Sequence, residues 1–161
     1  IQNNKSGIEN IILEPKHPKL NSKVGTAINK ADFIVLGPGS LFTSIIPNLL
    51  VPGMTELLKN SDAKKIYVCN IATQLGETDG FDACDHVKTL QKFTNGLKLD
   101  YIIANKTISV LGKDFPTSKC VDLGRLQKKK KKIIIEDLMN ISFKGHHDSD
   151  KLAKVITKII N

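Results

Sequence analysis

The sequence predicts an α/β domain of the Rossmann-like, three-layer kind, a mostly parallel sheet with helices on both faces. Short runs rich in Ile, Val, Phe and Tyr recur along the chain, and they are apolar without alternation, as strands covered on both sides are. Segments with three- and four-residue apolar spacing separate them, the period of helices. Two of the runs end in glycine-rich or polar loops that lead into a helix, the build of βα units. With 161 residues, 40% of them apolar, the chain is long enough for one core. No repeat or long linker divides it, so a single domain over residues 1–161 is expected.

Taken in order, Ile11-Ile12-Leu13 reads as a short strand, ended by Glu14-Pro15 and the Pro18 loop. Val24 to Lys30 reads as a weak helix. Phe33 to Leu36 is a buried strand, stopped by Gly37-Pro38-Gly39. Ser40 to Leu50 begins as helix, with Pro47 forcing a kink or an irregular end. Met54 to Leu58 continues as helix, and Ile66 to Cys69 is a second buried strand. A polar loop, Asn70 to Asp79, leads to an amphipathic helix on which Cys84, Val87, Leu90 and either Gln91 or Phe93 share a face. Tyr101 to Ala104 is a third strand, Lys119 to Leu123 a fourth and Ile133 to Ile135 a fifth. The stretch Ala104 to Lys119 carries no helical pattern and reads as a long excursion. A last helix runs from about Ser149 to Ile160, with Leu152, Val155, Ile156, Ile159 and Ile160 on one face and Asp148 or Ser149 as its cap.

Composition narrows the class. The formal charge of +8 invites a nucleic-acid reading, but five lysines sit in one run, Lys128 to Lys132, with no aromatic residue interleaved for base stacking. Such a run reads as a solvated helix end or loop, and nucleic acid is not an expected partner. Cys69, Cys84 and Cys120 form no CxxC pair and are expected as free thiols. The first residues show no basic stretch followed by an apolar one, so no secretory signal is expected. No apolar run approaches the roughly 20 residues of a membrane span, and a cytoplasmic location is the default.

The segment that carries chemistry is the turn Gly37-Pro38-Gly39-Ser40 between strand and helix. In open α/β sheets ligands bind beyond the carboxyl ends of the strands, where such turns cluster. Glycines let an anion approach main-chain N–H groups, a helix start adds partial positive charge, and Ser40, Thr43 and Ser44 add hydroxyls. It is neither a Walker A loop nor a GxGxxG fingerprint. The second loop, leaving the next strand, offers Asn70, Thr73, Gln74, Glu77 and Thr78 as hydrogen-bonding groups suited to a base or sugar. Its competing reading is structural, with Thr78 or Asp79 capping the helix that follows. Asp82, Asp85 and His86 lie one turn apart but read as first-turn charges of that helix, so no metal site is expected. His146, His147 and Asp148 read as a cap beside two surface imidazoles. No catalytic base stands out.

The stretches ADFIVLGPGSLFTSIIPNLLVPG and IYVCNIATQLGETDGFDACDHVK resemble the YvcK branch of the YvcK/CofD-like family, the gluconeogenesis factors. The likeness runs from about Ile8 to Leu111, with a second patch near the carboxy end. It implies a Rossmann-like fold and the carboxy-terminal half of a longer chain, because the family opens with a glycine-rich βα turn that is not found here. It implies a nucleotide-diphosphate ligand, a UDP-sugar above all, with magnesium compatible and no other cofactor required. By this resemblance Gly37, Gly39, Ser40, Leu41, Thr43 and Ser44 would bind the diphosphate. Asn70, Thr73, Gln74, Glu77 and Thr78 would face the nucleoside or sugar, and His146, His147 and Asp148 are candidate carboxy-terminal contacts. His146 stands where the family has Arg, which removes a permanent charge and a bidentate fork. The function implied is a ligand-sensing regulator of cell wall, cell shape and carbon metabolism, a homo-oligomer with a cell-wall or metabolic protein partner. The alternative is a transferase of 2-phospho-L-lactate to the deazaflavin Fo. A basic nucleic-acid-binding module ranks third.

Overall fold

The computed structural model describes residues 8–113, 115–128 and 132–161. Residues 1–7 and Lys129 to Lys131 of the lysine run lie outside the described residues, and with them the expectations placed there. Strands β1 (Phe33–Leu36), β2 (Lys64–Val68), β3 (Tyr101–Asn105) and β4 (Lys132–Glu136) form a four-stranded parallel sheet in the order β1-β2-β3-β4. Leu36 lies opposite Tyr67, Val68 opposite Ile103, and Asn105 opposite Glu136. The strands therefore end together, and every loop that leaves a carboxyl end emerges at one edge of the sheet.

Helices cover both faces, but unequally. Side chains along a strand alternate between faces. Leu36, Tyr67 and Ile102 point into one core with Ile28 of α1 (Ser22–Lys30), Ile46 and Leu49 of α2 (Ile46–Leu49), Leu58 of α3 (Met54–Asn60), and Val87 and Leu90 of α4 (Ala83–Phe93). Ile66, Val68 and Ile103 point the other way, against Leu152 and Val155 of α5 (Ser149–Ile160). Among the described residues no single helix is long and apolar enough to cross a membrane. One pair, Leu41–Leu49 with Met54–Asn60, matches by length and composition only; it is bent by 74°, and Leu41, Ile46, Leu49 and Leu58 are core residues.

Two expected strands do not form. Ile11 to Leu13 is irregular chain. Its run is three residues long and closed by prolines, and Ile8 and Ile11 instead pack against the helical core. Lys119 to Leu123 makes only an antiparallel bridge, Ala72 with Cys120, to the loop that leaves β2. Thr73 N–H donates to the Lys119 carbonyl (2.9 Å) and Val121 N–H to the Ile71 carbonyl (2.8 Å). The place beside β3 belongs to β4, whose Ile133, Ile134 and Ile135 bury better on a two-sided sheet than the mixed Lys119-Cys-Val-Asp-Leu123. Among the described residues the excursion between them has no regular helix until a 3-10 turn at Gly124–Lys128.

The helix expected from Ser40 opens as a wide π turn, Leu41–Ile45, before α2. Ser44 and Ile45 both donate their N–H to the Ser40 carbonyl, at 3.0 and 2.9 Å. Pro47 has no N–H to return to Thr43, and it sits in the first turn of α2, where that loss costs little. The cap of α4 is also displaced from expectation. Neither Thr78 nor Asp79 but Asp82 caps it: Asp82 Oδ1 accepts from Asp85 N–H (2.7 Å), and Asp85 Oδ2 accepts from Asp82 N–H (3.3 Å). This reciprocal pair satisfies two otherwise orphaned donors.

Candidate functional site

Three loops meet at the carboxyl edge of the sheet. The first, Gly37 to Ser40, leaves β1. Gly37 has φ +85°, and a Cβ there would lie 2.9 Å from the Val68 carbonyl oxygen and 3.1 Å from Ile45 Cδ1. The turn thus requires glycine both for its backbone and for the close passage of β2. The Gly37–Pro38 peptide bond is cis. Gly39 is different: its φ is not in the left-handed region, and a Cβ would meet Ser44 Cβ at 3.4 Å, with Ser44 Oγ and Ile45 Cγ1 at 4.0 Å.

Ser40 then caps the π turn. Its Oγ accepts from Thr43 N–H (3.1 Å) and from Thr43 Oγ1 (2.6 Å), and donates to Glu77 Oε2 (2.6 Å). That last bond ties the first loop to the second. The second loop is closed on itself: Gln74 N–H donates to Thr78 Oγ1 (2.9 Å), Thr78 N–H to the Gln74 carbonyl (2.9 Å), and Gly76 N–H to Asp79 Oδ2 (2.6 Å). Thr73 Oγ1 accepts from Lys119 N–H (3.0 Å). Thr73 and Thr78 are therefore buried structural hydroxyls, and Thr78, whose competing reading was structural, braces the loop rather than capping α4.

The third loop follows β4 and returns to α5. Asn140 Oδ1 accepts from the N–H groups of Ser142 and Phe143, both at 2.9 Å, and Met139 bridges His147. Gly145 has φ +101°, and a Cβ there would lie 2.6 Å from the Phe115 ring. Phe115 also meets His146 edge to face, with centroids 5.1 Å apart. Asp148 caps α5, accepting from Asp150 and Lys151 N–H, both 3.1 Å. His146 is exposed, as expected, but His147 is half-buried rather than a surface imidazole, because Met139 and the end of β2 close over it. Burial, first of all, holds His147 below the usual histidine value; the Cys69 main chain opposes that shift and nearby His146 adds to it.

These loops enclose a cleft of about 460 Å³. Pro38, Gly39 and Ser40 line it from the first loop, Asn70, Ile71, Ala72 and Gln74 from the second, and Gly145, His146, His147, Ser149 and Leu152 from the third, with Phe115 beside them. Of the residues singled out in the sequence, the cleft gathers Gly39, Ser40, Asn70, Gln74, His146 and His147. Gly37 and Ser44 border a separate, smaller hollow of about 290 Å³ on the far side of the turn. Leu41 is wholly buried in the core, and Thr43 is exposed away from the cleft wall. Glu77 takes part only through Ser40. Phe115 and Gly145 escaped the sequence reading; a lone glycine before His146-His147-Asp148 was the one available signal for the second.

Among the described residues no Lys or Arg side chain lines the cleft, so the polar character they give it comes from main chain, hydroxyl, amide and imidazole groups. Among the described residues no group of three or more His, Cys, Asp or Glu could hold a metal ion. Asp82 and Asp85 are occupied as caps, and His86 is buried, with burial lowering its pKa. Cys69 and Cys84 are buried free thiols and Cys120 is half-buried. Burial pushes the Cys69 thiol up to about 12, so it stays protonated and unreactive.

The chain is similar to known proteins along nearly its full length. The family model described as "2-phospho-L-lactate transferase CofD" matches residues 1–155. A protein of Thermoanaerobacterium thermosulfurigenes, provisionally named a gluconeogenesis factor, is 43% identical over 97% of this chain and 50% of its own length. One from Aquifex aeolicus with the same provisional name is 40% identical over 95% of this chain and 49% of its own. The chain thus spans about half the length of these curated relatives. A crystal structure of a UPF0052 family protein from Bacillus halodurans superposes with a TM-score of 0.85 at 36% identity, covering 94% of this chain and 50% of that one.

Proposed function

The chain belongs to the CofD family, and from that premise we propose that its cleft binds a nucleotide-diphosphate sugar, a UDP-sugar above all, in a regulator rather than an enzyme. The observation that carries this reading is the convergence of three carboxyl-edge loops on one cleft of about 460 Å³, a size suited to a small organic ligand. Gly39 supports it, since it lines the cleft and has no side chain to cover its main chain. The role of Ser40 shifts in detail. Its hydroxyl is engaged by Thr43 and Glu77, so a phosphate oxygen would be met by the main chain of Gly39 and Ser40 and by the Asn70 amide. Glu77, as a carboxylate next to Ser40, would repel the diphosphate from that side and favour a sugar or base donor there.

As part of the same proposal, the protein is a cytoplasmic homo-oligomer that passes the bound state to a cell-wall or metabolic protein. The test is calorimetric titration of the full-length protein with UDP-N-acetylglucosamine, UDP-glucose and GDP. Saturable binding of the UDP-sugars without turnover supports the reading, and silence from a verified folded sample removes it. The family model favours one second reading, transfer of 2-phospho-L-lactate to the deazaflavin Fo. Consumption of a nucleotide-diphosphate donor in the presence of Fo decides for it.

A further inference from the structure

The carboxyl edge of the sheet is also where this chain exposes most of its large apolar side chains. Among the described residues eight such side chains stand exposed, and five lie on loops at this edge: Leu75, Ile108, Val110, Ile141 and Phe143, each between 61% and 86% exposed. Single exposed apolar residues are ordinary, whereas several gathered on one surface mark an interface. The loops that carry them are bound to one another. Thr107, next to Ile108, donates its hydroxyl to Asp137 Oδ1 (2.8 Å) at the start of the loop after β4. Phe115 packs on Gly145 and His146 of that loop, and Lys119 N–H donates to Thr73 Oγ1 (3.0 Å) in the loop after β2. Ile141 and Phe143 stand on a closed turn: Asn140 N–H donates to the His146 carbonyl (2.9 Å), and His146 N–H to the Phe143 carbonyl (3.1 Å).

Charge says what such a surface would meet. Lys106, Lys113, Lys119 and Lys144 are exposed on the same two stretches, 106–119 and 139–147, whose only acidic residue is Asp114. The acidic residues of the loop after β2, Glu77 and Asp79, are turned to Ser40 and to the Gly76 N–H. We propose that this edge docks on an anionic lipid membrane, with Ile108, Val110, Ile141 and Phe143 entering the boundary between headgroups and acyl chains. The four lysines then face lipid phosphates, and the formal charge of +8 on the whole chain draws it to the same surface. A second copy of the chain is a poorer occupant, because a self-complementary contact would set these lysines against each other. A folded protein partner would have to match each projecting side chain with a shaped pocket, whereas fluid lipid takes up apolar side chains without a preformed fit. The contact is independent of what the cleft binds.

The experiment is co-sedimentation of the full-length protein with vesicles of phosphatidylglycerol and phosphatidylcholine in equal parts, and with vesicles of phosphatidylcholine alone. Binding to the mixed vesicles is expected, weakening as salt is added, and it should be at least about tenfold weaker on phosphatidylcholine alone. Lys144→Gln should weaken it roughly fivefold, and Ile141→Ser combined with Phe143→Ser by at least about tenfold. These positions are exposed, so the unfolding midpoints should stay at the wild-type value. Ile12→Ser is the control: Ile12 is 76% exposed but lies in the segment before α1, and its loss should leave vesicle binding unchanged. Absence of wild-type binding to the mixed vesicles, or equal binding to both kinds, overturns the proposal. So does binding that the paired variant leaves intact, or that Ile12→Ser weakens as much. A change of solution mass in the paired variant, with vesicle binding unaltered, would give the face to a second copy and likewise overturn it.

Discussion

Gly37→Ala separates a glycine that the fold requires from one that only a ligand requires. At φ +85° an alanine is strained by roughly 1–2 kcal/mol. Its Cβ would stand 2.9 Å from the Val68 carbonyl, and that oxygen belongs to a central strand, so the turn or β2 must move. Overpacking of this kind costs about 1–3 kcal/mol, offset by about 0.4–1 kcal/mol because alanine stiffens the unfolded chain. The net expectation is about 2–4 kcal/mol, a large share of the roughly 5–15 kcal/mol that holds a domain together. Gly39→Ala, two residues on, has no left-handed φ and no contact under 3.4 Å (Ser44 Cβ), the next being at 4.0 Å, so its change should stay within about 0.5–1 kcal/mol. Urea unfolding of both variants, followed by far-ultraviolet circular dichroism, reads the difference as a drop in midpoint at unchanged slope. If the two midpoints agree, or if Gly37→Ala costs under about 1 kcal/mol, the claim that Gly37 is held by the passage of β2 is wrong.

Gly39→Val should weaken UDP-sugar binding by titration and also lower the unfolding midpoint, by about 1–3 kcal/mol of stability, because its Cβ is aimed at Ser44 Cβ (3.4 Å) and its branches must crowd Ser44 and Ile45 and shift the cleft-lining turn. Asp82→Ala removes half of the reciprocal cap of α4 and should cost about 1 kcal/mol in urea, with Asp85→Ala costing less. His86 is buried with its pKa below the usual 6.5, so the unfolded chain takes up its proton first; stability is full above about pH 6.5 and falls as the pH drops toward the folded value. His86→Phe, which keeps a ring against Phe81, should flatten that acid slope in unfolding measured from pH 7.5 to 5. An unchanged slope would mean that His86 is not the group that titrates.

Much of this fold follows from local chemistry. The strands Phe33–Leu36 and Tyr101–Asn105 and the helix Ser149–Ile160 stand where apolar runs and helical spacing put them, since two-sided burial leaves such runs few alternatives. Asp148 as the cap of α5 is a relation between neighbours, and the sequence carries it directly. That the glycine turn after β1 and the polar loop after β2 lie side by side at one edge was legible for the same reason, because a turn after a buried strand in a parallel α/β sheet has one edge to go to.

What lay beyond the sequence depends on residues far apart in the chain. Lys119 to Leu123 has strand-like composition, but whether it joins the sheet depends on competition with β4 for the side of β3, and β4 holds that place. Ser40 reads as a free hydroxyl until Glu77, 37 residues on, accepts its hydrogen bond. Thr73 and Thr78 read as ligand groups until Lys119 and Gln74 claim them. His147 reads as a surface imidazole until Met139 and the end of β2 close over it. A sequence specifies which groups can hydrogen-bond and which segments prefer to be buried. Which hydroxyls are already satisfied, and which residues come to line a cleft, is decided only when distant segments compete for the same neighbours.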